Sequence, residues 1–306
     1  MNEQKQEDAE GFNVCFYRPV SFVMFLIALT FDKNPSIEYI AAVNLWIKLL
    51  FEILPIVNLK MLKELEFDLK TRSEFVNFVF TMHEKVLHET LDKKQTLQFF
   101  EQLRANDCSK TGKEISCVKN TQKIPSVCVV MIGKTKPESG FWMDTELQTN
   151  VDSTDALDML WERAMESTAA FCSCVFSAKW FVLHMIACGF AKNPSASERH
   201  KYHTFLGLFG RLLACFACRV NFQANMELVQ YNSQTDLLSR TTFVNFMYRL
   251  HEAVNTMLGK EVNNVSLEET IDYFNMLATK TSDDFFSCVM IAKEKDAIAR
   301  FYFSNK

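Results

Sequence analysis

Glycine and proline are scarce in this chain, which has 8 Gly and 6 Pro among 306 residues. Sheet proteins with many tight turns use both residues heavily, so their scarcity disfavours a turn-rich β-fold. By contrast, the chain contains 28 Phe and 14 Met, and 48% of its residues are hydrophobic. This composition suits long helices packed around a large core. We therefore predict an all-α protein.

The chain also lacks a run of basic residues. Lys and Arg are spread along it, and the net charge of −4 gives a pI near 5.9. A protein that grips the phosphates of nucleic acid needs a basic patch or stripe. No nucleic-acid partner is expected.

No secretory leader or membrane span is evident. The first ten residues are polar and acidic, whereas a signal peptide begins with a basic stretch and an apolar core. The apolar stretch 20–31 is too short for a bilayer. The longer stretch 169–191 is interrupted by Lys179 and His184, which are costly near the bilayer centre. We expect a protein that is not secreted and that contains no membrane span.

Two blocks of sequence occur twice. FDKNPS from Phe31 recurs 159 residues later as FAKNPS from Phe190, and RSEFVNFVFTMHEKV from Arg72 recurs 168 residues later as RTTFVNFMYRLHEAV from Arg240. The different displacements imply nine extra residues in the second copy, and a polar loop near 230–234 tolerates such an insertion. Two copies are too few for a solenoid, so we predict two related helical-bundle domains.

The repeat divides the chain into four predicted segments. They are a disordered tail over 1–14, a first helical domain over 15–103, a linker or insert over 104–158, and the second domain over 159–306. The linker is rich in turn formers, and its β-branched run 124–132 predicts a short strand.

Hydrophobic spacing predicts the helices of the second copy. Thr241 or Thr242 would cap the start of one helix and Gly259 its end, and further helices are predicted over 197–213 and near 170–190. The first of these helices carries an apolar stripe on one face, formed by Phe243, Phe246, Met247, Leu250, Val254 and Leu258.

Ten cysteines in a chain without a leader favour redox or metal chemistry over a framework of structural disulfides. Cys215 and Cys218 form a C-x-x-C motif where the next helix is predicted to begin. Thiols at this spacing can close a disulfide, and a helix N-terminus stabilises the nucleophilic thiolate. A thioredoxin-like domain would need alternating strands and helices, whereas the sequence on both sides is helical. The motif predicts a redox dithiol in a helical bundle.

The reactive residues occur almost entirely in the second copy. Of the six reactive positions compared, only His251 has the same residue in the first copy, His83. The other aligned pairs are Ile56 for Cys215, Leu59 for Cys218, Ser21 for Trp180, Phe25 for His184 and Leu87 for Asn255. The repeat therefore predicts one fold used twice and one site used once.

Six separated elements of the second copy resemble, in order, the pattern of the Erv/ALR sulfhydryl oxidases. They are Trp180-Phe181-Val182-Leu183-His184, Asn193-Pro194, Tyr202 with Phe205-Leu206, Cys215-x-x-Cys218-Arg219, Ser239-Arg240-x-x-Phe243, and His251-Glu252-Ala253-Val254-Asn255-x-x-Leu258-Gly259-Lys260. The layout, in which a degenerate copy precedes the active one, most resembles the baculovirus-type sulfhydryl oxidases of large insect DNA viruses.

The resemblance implies a bundle of four to five helices that binds FAD, usually as a homodimer, and oxidises thiols. Cys215 would exchange disulfides with thiol-containing protein substrates, Cys218 would lie against the flavin, and O2 would be the final electron acceptor. No metal is implied. A viral protein of this type would act in the host cytoplasm or nucleus, or in the virion. The residues assigned to the cofactor are Trp180, His184, Tyr202, Cys218, Arg240, His251, Val254, Asn255 and Lys260.

Helical spacing is consistent with this assignment. Trp180 and His184 are one turn apart and face the same way, and His251 and Asn255 repeat that spacing on a second helix. The first pair offers a flat surface for stacking and the second offers hydrogen bonds to a planar base. Lys260 supplies a cation suitable for a pyrophosphate.

The sequence departs from the family pattern in the region around Lys260, and it has no evident second pair of cysteines to shuttle electrons. Glu252 stands where the family often has Asn, and only Cys288 follows where the family commonly has a further disulfide. Cys172 and Cys174 are candidates for a shuttle pair, but their position at the start of the helix that carries Trp180 favours plain burial. Weaker candidates lie in the linker, at Cys108, Cys117 and Cys128.

Other functions stay open at this point. His200 and His203 precede the cysteine pair and would complete a zinc site, so the chain is alternatively a non-enzymatic helical interaction protein with a structural or zinc-bound C-x-x-C. A flavoprotein that reduces an acceptor other than O2 is a third possibility. The first copy is expected to bind no FAD and to pack against the active copy or the dimer partner.

Overall fold

The computed structural model describes residues 11–57, 59–88, 90–94, 96–97, 173–213, 216–257 and 266–278. Across these ranges the regular structure is helical, with no strand and one isolated β-bridge between Phe12 and Ile56. The prediction of an all-α protein is confirmed. The strand predicted over 124–132 lies outside the described residues.

A short 3-10 helix, Val14–Phe16, precedes the first α-helix. In the first half, the α-helices are α1 (Tyr17–Leu29), α2 (Ile37–Ile53), α3 (Lys60–Lys63) and α4 (Arg72–Leu87). In the second half, they are α5 (Ser173–Cys188), α6 (Ala196–Leu212), α7 (Phe216–Leu228), α8 (Ser233–Asp236), α9 (Arg240–Met257) and α10 (Leu267–Ala278).

The sequence repeat is a repeat of helices. α2 and α6 occupy aligned residues from end to end, α1 aligns with α5, and α4 aligns with α9. The copies differ between these helices, because the 13-residue α7 stands where the first half has the four-residue α3. The extra residues of the second copy therefore make α7 longer than α3. They also form the turn and the short helix α8 that follow α7, at the place where the insertion near 230–234 was predicted.

Side-chain caps set where the long helices of the second half begin. Ser195 accepts a hydrogen bond from the N–H of Glu198 at 3.2 Å, and the Glu198 carboxylate accepts one from the N–H of Ser195 at 2.7 Å. This capping box starts α6 within one residue of the predicted position. At α9, the cap predicted at Thr241 or Thr242 is wrong. Ser239 accepts from the N–H of Thr242, and Thr242 Oγ1 accepts from the N–H of Ser239, so the helix begins at Arg240.

The two halves pack through counterpart helices. α1 packs against α4 and against its counterpart α5, and α2 packs against its counterpart α6. The rings of Trp46 and Phe205, which are aligned positions, stack at 6.0 Å between centroids and an interplanar angle of 17°. The two halves therefore contact each other through aligned helices and, at this stack, through aligned residues.

Polar contacts join the same two helices. Lys201 on α6 forms an ion pair with Glu52 on α2 at 2.6 Å. The hydroxyl of Tyr202 donates to the backbone oxygen of Ile53 at 3.5 Å. The buried apolar residues of both halves belong to one continuous core. The expectation that the first copy packs against the second is confirmed, whereas the division of the chain into separate domains stays a prediction.

The beginning of the described chain is part of this core. Phe12 is buried, its N–H donates to the backbone oxygen of Pro55 at 2.6 Å, and its own oxygen accepts from the N–H of Val57 at 2.9 Å. Residues 11–14, which were predicted to belong to a disordered tail, thus pair with the segment that follows α2. No helix in the described ranges is long and apolar enough to cross a bilayer.

Candidate functional site

A cluster of three rings lies between α5 and α9. The rings of Trp180 and His251 stack nearly parallel, with centroids 4.3 Å apart and an interplanar angle of 12°. His184 lies one turn beyond Trp180 on α5, and its Nε2 is 3.3 Å from Nδ1 of His251. Because α5 and α9 pack against each other, three predicted site residues from two distant segments come together.

His184 is the most deeply buried member of the cluster. Its side chain is fully buried, and this burial lowers the pKa of His184 to about 3 because the charged form would lose its hydration. The imidazole is therefore neutral near pH 7, with one nitrogen that donates and one that accepts. The tautomer decides which of His184 and His251 is the donor in their contact.

One ring that covers the cluster was not predicted. Phe274 on α10 stacks on His184, with centroids 5.8 Å apart and an interplanar angle of 20°. Phe12, at the start of the described chain, contacts Phe274 edge to face at 6.3 Å. The apolar spacing of Leu267, Phe274 and Leu277 would have predicted an amphipathic α10. It would not have indicated which helix α10 covers.

Two further predicted residues extend the buried face of α9. Val254 and Asn255 follow His251 by about one turn, and both side chains are buried. An amide in such a place supplies both donors and acceptors to a planar partner. Lys260, predicted just beyond this helix, lies outside the described residues.

Cys218 lies in the first turn of α7 and is half-buried against the core. It is disulfide-bonded. Its partner is not among the other cysteines whose side chains the structure describes, because neither Cys15 nor Cys188 is disulfide-bonded. Cys215 lies outside the described residues. The same holds for Cys172, for the side chain of Cys174, and for Cys108, Cys117, Cys128 and Cys288.

Tyr202 and Arg240 make structural contacts. Tyr202 packs against Phe190 and Phe243 with ring centroids 4.4 and 5.6 Å away, and burial raises the pKa of its hydroxyl. Arg240 Nε donates to the backbone oxygen of Phe190. In the first half, the counterpart Arg72 donates from Nε and Nη2 to the oxygen of Phe31, at 2.8 and 2.7 Å. Because both copies make this contact, it belongs to the fold that they share, and the cofactor roles of Tyr202 and Arg240 stay predictions.

The corresponding place in the first half has different chemistry. His83 is the counterpart of His251, and Ser21 is the counterpart of Trp180. The Nδ1 atom of His83 is 2.9 Å from the hydroxyl oxygen of Ser21. Phe25 takes the place of His184 and contacts Phe80 edge to face at 4.8 Å. The three-ring cluster is therefore a feature of the second half.

The histidines of the alternative zinc site are on the surface. His200 and His203 are exposed on α6, and His203 stacks on Tyr231, with Nδ1 3.2 Å from its hydroxyl. Within the described ranges, no group of three or more His, Cys, Asp or Glu side chains could hold a metal ion.

Residues 177–274 match the model of the Erv1 / Alr family. The second half of the chain carries an Erv1 / Alr domain. The match begins within α5, ends at Phe274 in α10, and includes Cys218 and the whole three-ring cluster. The first half lies outside the match.

The Erv1 / Alr domain is also similar to curated proteins. It is 34% identical over 85 residues to the "FAD-linked sulfhydryl oxidase ERV2" of Saccharomyces cerevisiae, which covers 28% of this chain and 41% of the yeast protein. It is 28% identical over 83 residues to the "Probable FAD-linked sulfhydryl oxidase R368" of Acanthamoeba polyphaga mimivirus, covering 27% and 57% of the two chains. The chain thus spans about half the length of these relatives. No solved structure gives a match.

Proposed function

We propose that the protein is an FAD-dependent thiol oxidase that forms disulfides in protein substrates through Cys215 and Cys218. The observation that carries this proposal is a disulfide-bonded Cys218 in the first turn of α7, within an Erv1 / Alr domain. The similar proteins are named FAD-linked sulfhydryl oxidases. The partner of Cys218 in the proposal is Cys215, because two thiols at C-x-x-C spacing can close a disulfide.

Substrate oxidation is an exchange of disulfides. A substrate thiolate attacks the sulfur of Cys215, a new S–S bond forms, and Cys218 leaves as a thiolate. A second substrate thiolate then attacks the substrate sulfur of this mixed disulfide, and Cys215 leaves in turn. The substrate has lost two electrons and two protons and has gained a disulfide, and the enzyme pair is reduced.

The start of α7 favours this exchange. The unpaired N–H groups of a helix N-terminus stabilise negative charge, so a cysteine in the first turn is more readily a thiolate. Cys218 occupies that turn, and half-burial limits competition from water. Thiolate is both the attacking and the leaving form in the exchange.

The second half offers groups that fit a flavin dinucleotide. Trp180 and His251 stack on each other, so each ring has only its other face for a ligand, and the neutral His184 and the buried amide of Asn255 offer uncharged hydrogen bonds beside them. Aromatic faces and uncharged polar groups of this kind suit planar heterocycles. We propose that these residues, with Val254 and Lys260, hold the FAD. When bound, FAD supplies a two-electron acceptor for the reduced cysteine pair and passes the electrons to O2, which becomes hydrogen peroxide.

We propose that the first half binds no FAD. Ile56 and Leu59 replace the two cysteines, and Ile56 is buried in the β-bridge with Phe12. Phe25 takes the place of His184 and contacts Phe80. Its phenyl ring has no atom that can form a hydrogen bond, unlike the imidazole that it replaces. The baculovirus-type subtype, a homodimer, and action in the host cytoplasm, nucleus or virion belong to the same proposal. The mimivirus relative is the observation that favours a viral origin.

The test is the colour and turnover of the purified chain. We expect the visible absorbance of an oxidised flavin, one FAD released per chain on denaturation, and O2 consumption with dithiothreitol. Cys218→Ser should abolish turnover while the fold persists, and Cys188→Ser, which removes a free thiol outside the pair, is the matched control. Two flavins per chain would contradict the assignment of the first half. Bound zinc without flavin would favour the interaction protein with a zinc-bound C-x-x-C.

A further inference from the structure

A cavity of about 310 Å³ lies between α6 and α7, on the two helices that flank the C-x-x-C motif. Both helices contribute apolar and polar side chains to it. The apolar lining residues are Leu206, Phe222 and Met226, and the polar ones are Arg211, Arg219 and Gln223. No proposed cofactor residue contributes to it.

The cavity adjoins the redox pair along the chain. Arg219 directly follows Cys218, and Arg211 precedes Cys215 by four residues. Arg219 Nη1 donates to the backbone oxygen of Leu213 at 2.8 Å, and this bond ties the start of α7 to the end of α6. A molecule held in the cavity would therefore lie beside the end of α6 and the first turn of α7, the turn that contains Cys218.

The lining is positively charged. Arg211 and Arg219 contribute two guanidinium groups, and no carboxylate is among the lining residues. Guanidinium groups bind carboxylates with specific geometry, whereas the apolar lining residues favour an aliphatic or aromatic side chain. The chemistry of the cavity thus suits a ligand that is both acidic and apolar.

Gly207 leaves part of the cavity open. It lies on the lining of α6, and a Cβ atom built there would meet no other atom within 4 Å. At Gly210, one turn further, a Cβ would instead lie 2.6 Å from the ring of Phe222. Glycine at 210 is required by packing, whereas nothing in the fold around Gly207 requires its lack of a side chain.

We infer that this cavity binds the protein substrate beside its reactive cysteine and selects segments in which a carboxylate and an apolar side chain flank that cysteine. The inference rests on the proposed thiol oxidase function and adds its substrate class. The carboxylate lies against Arg211 and Arg219, the apolar side chain lies against Phe222 and Met226, and the substrate cysteine then lies toward the start of α7.

The experiment compares reduced cysteine peptides as substrates of the full flavin-containing chain. Three peptides share a Leu on one side of the cysteine and carry Asp, Asn or Lys on the other side. O2 consumption gives kcat/KM for each, and dithiothreitol serves as an uncharged reference that has no flanking residues. We expect the Asp peptide to exceed the Asn peptide by about five- to tenfold at low salt, because partly exposed charge pairs contribute modestly. The preference should shrink at high salt.

Two variants locate the effect. Arg211→Gln should remove most of the preference for Asp over Asn. Gly207→Leu adds a side chain to the open part of the cavity and should lower the ratio of peptide to dithiothreitol turnover by about tenfold, while leucine at a helical glycine position preserves or raises stability. Arg199→Gln, in the first turn of α6 and about 18 Å from Arg211 along the helix, removes the same charge and should leave the preference unchanged.

The outcomes separate the two proposals. Absence of dithiothreitol turnover would refute the oxidase itself. Turnover of dithiothreitol with equal kcat/KM for the Asp, Asn and Lys peptides would overturn the substrate site while the oxidase stands. Equal loss with peptide and dithiothreitol in Gly207→Leu would also overturn it, because the cavity would then act on the fold or on the redox pair and not on the substrate.

Discussion

Acid should unfold this protein through His184. The imidazole is fully buried, and its pKa is lowered from 6.5 to about 3 by burial. In the unfolded chain, the same ring binds a proton as the pH falls below about 6.5. The unfolded state therefore binds more protons, and the free energy of unfolding decreases as the pH falls from about 6.5 toward 3.

The size of the loss follows from the two pKa values. Between about pH 6.5 and pH 4.5, His184 is protonated in the unfolded chain but not in the folded one. The free energy of unfolding therefore falls over an interval of about two pH units. At about 1.4 kcal/mol per unit, this costs about 3 kcal/mol. That loss is a large part of the roughly 5–15 kcal/mol that holds a typical domain folded. His83, whose pKa burial lowers to about 4, adds a similar loss in the first half.

The assay is urea unfolding followed by circular dichroism at about pH 7.5 and pH 4.5. Replacing His184 by Gln removes the titrating ring but keeps hydrogen-bonding groups, so the variant should lose about 3 kcal/mol less than the native chain between the two pH values. His200→Gln, on the exposed face of α6, controls for the removal of an imidazole. If His184→Gln and the native chain lost equal stability, His184 would not be the buried neutral group described above, and the reasoning would fail.

Two more predictions concern contacts that the copies share or that join them. Arg72→Ala and Arg240→Ala should each lower the free energy of unfolding by about 1.5–3 kcal/mol, since each leaves a backbone oxygen without its charged donor. The midpoint of urea unfolding measures this loss. An unchanged midpoint for Arg240→Ala alone would contradict the fold contact and point instead to the predicted cofactor role of Arg240. Gly189→Ala should cost about 1–3 kcal/mol, because its Cβ would lie 2.0 Å from Cβ of Pro55 in the other half; a neutral result would mean that the halves are not packed together at this point.

Local signals in the sequence predicted α5, α6, α9 and the start of α7 in the second half. The Ser and Glu spacing at the start of α6 is a capping box, and the apolar stripe of α9 continues for several turns. Both patterns involve residues only a few positions apart, so they can be recognised from sequence spacing alone. The repeat added the alignment of α1 with α5 and of α4 with α9, because the same local signals occur in both copies.

Long-range contacts were beyond the same reasoning. Phe12 and Phe274 come from opposite ends of the described chain and meet over His184, and no spacing rule relates such distant residues. The stacking of Trp46 on Phe205 likewise depends on how α2 and α6 pair. Arg72 and Arg240 are aligned arginines that make the same backbone contact, so the repeat did carry a signal for this contact, beside the cofactor role predicted for Arg240.

The two aligned histidines show what the fold needs and what the site adds. His83 and His251 are both buried at the same place on counterpart helices. A serine hydroxyl is enough to pair with His83, so a buried histidine at this place is compatible with the fold without any cofactor. His251 instead faces Trp180 and His184, and both of these come from α5. Because α9 keeps its histidine in both copies, α5 is the helix whose sequence distinguishes the two. Exchanging Ser21 and Phe25 for the tryptophan and histidine of α5 is therefore the smallest change that could build a three-ring cluster in the first half.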